Sequence, residues 1–207
     1  MKLLAMLGSL LISVSVWAGD FNIQERDASG LWVTYTGVVD RYDHEKLRVL
    51  MELVSPHTTV FCIIDSPGGS AYGGLNLYYE AEKWKNLVTI AGSDFGAWSA
   101  AAIFWLGSPR DFTIPGSKVG FHAAYCNPYF PPGCDTSEFQ TILKEVLYRE
   151  GFEAERFNAT LNYLQERFGV DAWLIKTGEG WIVEIGGRVV GPVDIPQTAP
   201  PVTKDRI

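Results

Sequence analysis

The stretch Asp65-Ser66-Pro67-Gly68-Gly69-Ser70 constrains this chain more than any other. The run before it, Thr59-Val60-Phe61-Cys62-Ile63-Ile64, is β-branched and aromatic and reads as a buried strand, and a helical pattern starts near Ala71. The Pro-Gly-Gly segment between them is therefore a tight strand-to-helix turn. Two consecutive residues without Cβ let the main chain take unusual φ values and leave its N–H groups uncovered. Such groups beside a helix N-terminus suit a negatively charged oxygen. Alone, Ser-Pro-Gly-Gly is an ordinary turn, and its weight comes from two stretches further along.

The rest of the pattern alternates strand and helix. Leu31–Thr36 reads as a strand ended by Gly37. Asp43 can cap a helix with Leu47, Leu50 and Val54 at helical spacing, stopped by Pro56. A helix over 71–85 follows the Gly-Gly turn, then a short strand over Leu87–Ala91. Ala100–Leu106 is apolar all round, which predicts a fully buried helix. Residues 112–114 and Val119–Phe121 are two brief strands. This order implies an α/β domain with parallel pairing. Residues 136–168 read as two helices separated by Gly151, and 183–185 with 188–190 read as a hairpin across Gly186-Gly187.

With 207 residues, 47% of them hydrophobic, the chain can form one domain that buries about 70% of its unfolded surface. Residues 1–18 fall outside that domain. Lys2 supplies a positive start, the stretch to Trp17 is apolar or small, and Ala18 offers a small residue before Gly19: a secretory signal peptide. The expected products are a domain over 19–195 and a Pro-rich, disordered tail over 196–207. The expected location is periplasmic or secreted, with membrane tethering as the outcome if the N-terminus stays uncleaved.

Export makes the cysteines legible. Cys126 and Cys134 flank a loop rich in Pro and Gly, and in an oxidising compartment they are expected to form a disulfide. Closing that loop would stabilise the fold by about 2.5 kcal/mol. Cys62, mid-strand, reads as a small core residue. No Cys or His pair has ligand spacing, so neither a metal nor another cofactor is expected. The net charge of −7 and pI near 5.0 argue against nucleic acid or an anionic membrane surface as the main partner.

Ser99 lies where the buried helix begins, beside an Ala100 N–H that has no acceptor within the helix. Ser is also a favoured N-cap, which is the plainer role for it. Of the three histidines, His44 and His57 read as solvent residues, whereas His122 ends the apolar run 119–121. A histidine there is either a satisfied core residue or a general base held by its scaffold.

Taken together, Ser66-Pro67-Gly68-Gly69-Ser70, Gly96-Ala97-Trp98-Ser99-Ala100-Ala101 and Pro115-Gly116-Ser117-Lys118-Val119-Gly120-Phe121-His122 resemble the Clp protease proteolytic subunit, and more closely its exported, periplasmic relatives. The resemblance covers about residues 32–125. It implies a crotonase-like α/β fold of stacked ββα units with a helical C-terminal extension, and a homo-oligomer. It also implies a serine peptidase acting on a peptide or protein substrate, without ATP by itself. Carried over, Ser99 is the nucleophile, His122 the base, and Gly69 or Gly68 with Ala100 the oxyanion hole. Counting back from Gly191-Pro192-Val193-Asp194 gives Glu179 as the acid of the triad, with Asp171 as the fallback. Gly186-Gly187 replaces a helical segment of the family. That departure and the Glu motivate the alternative, a non-catalytic module of the same fold used for assembly or binding.

Overall fold

A computed structural model describes residues 18–125 and 136–193. All of the expected 1–18 leader but Ala18, the expected Cys126–Cys134 bridge and the expected tail over 196–207 lie outside the described residues. The elements run β1 (Asp20–Arg26), β2 (Leu31–Thr36), α1 (Asp43–Glu52), β3 (Val60–Asp65), α2 (Ala71–Ala81), β4 (Leu87–Ala91), β5 (Ala97–Trp98), α3 (Ala100–Leu106), β6 (Asp111–Thr113), β7 (Val119–Phe121), α4 (Ser137–Arg149), α5 (Ala154–Phe168), β8 (Ala172–Thr177), β9 (Gly180–Ile185) and β10 (Arg188–Val193).

Two five-stranded sheets result, ordered β1-β2-β3-β4-β6 and β10-β9-β8-β7-β5. In the first, β2, β3, β4 and β6 are parallel and β1 is added antiparallel at the edge. In the second, β5 and β7 are parallel, while β7 to β10 form an antiparallel meander. The parallel pairing expected from strand–helix alternation thus holds for the crossover-connected part. The hairpin expected near Gly186-Gly187 is β9–β10. Three strands escape the sequence reading: β1, the two-residue β5 that leads into Ser99, and β8. β1 is almost wholly exposed and carries no apolar run, and β8 follows a helix with no turn signal stronger than Gly169.

β3 is not buried on both faces. Val60, Cys62 and Ile64 are buried, while Phe61 and Ile63 are half-buried, with Phe61 stacked on Trp32 at 4.4 Å. One apolar core joins both sheets and all five helices, from Val33 and Cys62 through Leu77 and Phe104 to Phe121, Leu147 and Leu174. α3 is buried at all seven positions, as its unbroken apolarity demands.

α2 and α3 cross closely enough that side chains are excluded. A Cβ on Gly74 would lie 2.5 Å from the Ala100 carbonyl oxygen, and one on Gly107 2.6 Å from that of Tyr78. This contact fixes the start of α3 against α2. It therefore fixes the Ala100 N–H relative to the turn that feeds α2.

Candidate active site

Backbone pairing draws the three sequence stretches together. Ser66 bridges Ala97 in parallel, and Ala97 and Trp98 pair with Val119 and Gly120. The Ser66 N–H donates to the Gly96 carbonyl at 2.9 Å, and the Trp98 N–H to that of Ser66 at 3.0 Å. The Ser99 N–H donates to the Gly120 carbonyl at 2.8 Å. Ser99 and His122 thus leave the ends of neighbouring strands, with the Gly-Gly turn alongside.

Ser99 has φ 55° and ψ −120°, and among the described residues it is the only non-glycine with positive φ. Such a conformation costs on the order of 1–3 kcal/mol and persists only where the surroundings impose it. It also turns the side chain away from capping duty: Ser99 occupies the N-cap position of α3 but makes no side-chain cap bond. Its Oγ lies 2.7 Å from His122 Nε2 instead.

The other imidazole nitrogen settles the tautomer. His122 Nδ1 is 2.8 Å from the Ala123 carbonyl, which can only accept, so Nδ1 carries the proton and Nε2 is free to receive the one on Ser99. Burial holds the His122 pKa below its ordinary value of 6.5, opposed in part by that carbonyl. Trp173, on β8 opposite this position, packs edge-on against the imidazole at 4.5 Å, and Tyr125 approaches it at 5.5 Å.

The Gly-Gly turn is held on its far side by residues 37–39. The Val39 N–H donates to the Gly68 carbonyl and the Ser70 N–H to the Val39 carbonyl, both at 2.8 Å. In a parallel bridge of this kind the flanking groups make the bonds, so the N–H of Gly69 itself points away from Val39. The Gly68 N–H is taken by Ser66 Oγ at 3.2 Å, and Ser66 in turn donates to the Gly37 carbonyl at 2.7 Å. Of the two glycines the sequence offered, Gly69 therefore has the available N–H, alongside that of Ala100. Gly68 makes room instead. At φ 88°, its Cβ would fall 2.6 Å from Ser99 Cβ and 3.0 Å from the Ala100 nitrogen.

Glu179 lies in the exposed turn between β8 and β9, where its N–H donates to Thr177 Oγ1 at 3.2 Å. The β7–β8 register pairs Phe121 with Leu174, so Thr177 is already about 13 Å along the strand from the level of His122. Asp171 precedes β8 at the nearer end, is exposed, and has its carbonyl bonded by the Gly186 N–H at 3.1 Å.

Three supporting residues were not singled out from sequence: Ser66, which braces the turn, Trp173, and Asp65. Asp65 Oδ1 accepts the N–H groups of Phe95 and Gly96 at 3.0 and 2.9 Å, ordering the loop before Ser99. Asp65 and Ser66 stood inside a recognised motif, whereas Trp173 gave no signal because its strand was not foreseen. Val38, Tyr72, Ile103, Phe139 and Trp173 help line a largely apolar groove of about 820 Å³ that holds Ser99 and His122. Among the described residues no group of His, Cys, Asp and Glu could hold a metal ion.

No protein-family model matches the chain, and no curated protein matches it by sequence. Solved structures do. One is the 1510-N membrane-bound stomatin-specific protease, a serine-to-alanine mutant, with TM-score 0.51 and 15% identity over 63% of this chain and 68% of that one. Another is an asparagine-to-aspartate mutant of ClpP1 from Listeria monocytogenes, with TM-score 0.48 and 15% identity over 63% of this chain and 78% of that one. The fold is the ClpP/crotonase-like α/β fold, shared with the first of these proteins.

Proposed function

We propose that this chain is a serine peptidase that hydrolyses peptide bonds, with Ser99 as nucleophile and His122 as general base. The observation that carries the reading is the 2.7 Å contact between Ser99 Oγ and the unprotonated Nε2 of His122. A serine merely tying down its helix would have bonded the N–H groups of α3. In the reaction, Oγ attacks the peptide carbonyl as Nε2 takes its proton. The carbonyl oxygen gathers negative charge between the N–H groups of Gly69 and Ala100, each supplying about 3–4 kcal/mol of transition-state stabilisation. His122 then protonates the leaving amine, and water, activated by the same imidazole, releases the acyl group.

The Ala123 carbonyl orients Nδ1–H in this scheme, the service a triad carboxylate would render. It fixes the tautomer but brings no full negative charge to the imidazolium, so the base is weaker than one backed by Asp or Glu. The apolar lining favours peptides with apolar side chains near the scissile bond. Export, with the leader removed before Gly19, and self-association belong to the same proposal. Among the described residues no helix is long and apolar enough to cross a membrane.

The test is cleavage of a mixed-sequence peptide library followed by mass spectrometry. New termini with a common apolar preference are expected from the wild type and none from Ser99→Ala. Identical cleavage by both proteins would remove Ser99 from the mechanism.

A further inference from the structure

A second polar pocket, beneath the start of β1, is not used by the proposed reaction. Asp43 is only 1% exposed. Its Oδ2 accepts the Tyr35 hydroxyl at 2.8 Å and the Asp40 N–H at 2.7 Å, but its Oδ1 receives no hydrogen bond. Lys46 Nζ, 3.0 Å from Oδ1, contributes charge without hydrogen-bond geometry, and it is 43% exposed. A buried carboxylate oxygen without a donor is costly.

Gly19 forms the wall of this pocket. A methyl group on it would lie 2.6 Å from Asp43 Oδ2 and overlap the Tyr35 hydroxyl, so nothing larger than hydrogen fits. Its N–H donates to the Val38 carbonyl at 2.6 Å, and its carbonyl accepts from Lys46 Nζ at 2.5 Å. Gly19 is buried while Ala18 is exposed. The bond between them is the one that the Val16-Trp17-Ala18 pattern marks for cutting.

We propose that this pocket is a socket for the α-ammonium group created when the Ala18–Gly19 peptide bond is hydrolysed. Water adds across the amide: the carboxylate departs with Ala18, and the Gly19 nitrogen becomes an ammonium. An amide nitrogen has one N–H, already spent on Val38. An ammonium has three, so two remain for Asp43, whose buried Oδ1 receives no hydrogen bond. The consequence reaches the oxyanion turn through the backbone. The ammonium anchors Val38, and Gly37 and Val39 on either side hold Ser66, Gly68 and Ser70. This last step rests on the peptidase reading, whereas the socket does not.

The test begins with the full chain expressed in a secreting bacterial host, its product analysed by intact mass and N-terminal sequencing. A chain starting at Gly19 is expected, and a retained leader or another start overturns the proposal. The folded product is then reductively methylated near neutral pH. The Gly19 amine is expected to react at least tenfold more slowly than in the denatured chain, and several-fold faster in folded Asp43→Asn than in the wild type. An amine equally reactive folded and unfolded, or one indifferent to Asp43→Asn, overturns the socket. If Asp43→Asn does not fold, the folded-against-denatured comparison on the wild type decides alone. Failure of Ser99 to react with an acylating probe while the Gly19 amine stays protected would sink the peptidase reading and leave the socket standing.

Discussion

At the scale of single residues, the site is a serine in a strained backbone conformation facing an imidazole whose tautomer is fixed by a carbonyl. Burial lowers the His122 pKa below 6.5, so the imidazole is neutral and able to accept a proton at neutral pH. The expected profile of kcat/KM is a plateau near neutrality with an acid limb falling below pH 6.5, measured as a pH–rate series on a cleaved peptide. A limb centred well above 6.5 would contradict the burial argument. The same shift bears on stability. The unfolded chain binds this proton more readily, so His122's contribution is present above its unfolded pKa and is lost as pH falls from 6.5 through the lower, folded value. The geometry also separates Glu179 from the imidazole. Glu179→Gln is expected to change kcat/KM by no more than about twofold, whereas His122→Gln is expected to lower it at least about a thousandfold. A large loss in Glu179→Gln would return that carboxylate to the triad. Ser99 and His122 were legible in sequence because one begins the apolar helix 100–106 and the other ends the apolar run 119–121. The Ala123 carbonyl was not, because any residue type supplies one.

At the scale of elements, the oxyanion donors are positioned by the contact of α2 with α3. Gly74→Ala gains helix propensity but puts a Cβ against the Ala100 carbonyl, and α3 cannot yield without moving the Ala100 N–H. The expected net result is a destabilisation of about 1–3 kcal/mol with a lower kcat at little-changed KM, read from denaturant unfolding and steady-state kinetics. Unchanged kcat would mean that the crossing does not set the donor. The α2 and α3 segments could be read from the sequence because one shows helical periodicity after the Gly-Gly turn and the other is apolar throughout. β8 could not, though it carries Trp173 against the imidazole. Its pattern Ala-Trp-Leu-Ile-Lys-Thr fits a strand, but only tertiary pairing with β7 says that it faces the site.

At the scale of the whole molecule, two sheets share one core, and the candidate site stands where the Gly-Gly turn of the first meets the ends of β5 and β7 in the second. Phe104, fully buried in α3 against Tyr35 and Phe21, is central to that core. Phe104→Ala is expected to cost about 3–5 kcal/mol in chemical unfolding, with loss of activity following loss of fold. The parallel part of the first sheet, β2, β3, β4 and β6, was foreseen because short crossovers force neighbouring parallel strands, whereas its antiparallel edge strand β1 was not. The second sheet was seen only in part, since antiparallel pairing after two helices leaves little trace in local pattern. The most direct measurement is intact-mass analysis of the folded protein after exposure to a fluorophosphonate. One adduct is expected, on Ser99, absent in Ser99→Ala and at least a hundredfold slower in His122→Ala. A folded protein that takes no adduct, or an adduct that persists in Ser99→Ala, would contradict the assignment of Ser99 as an activated nucleophile.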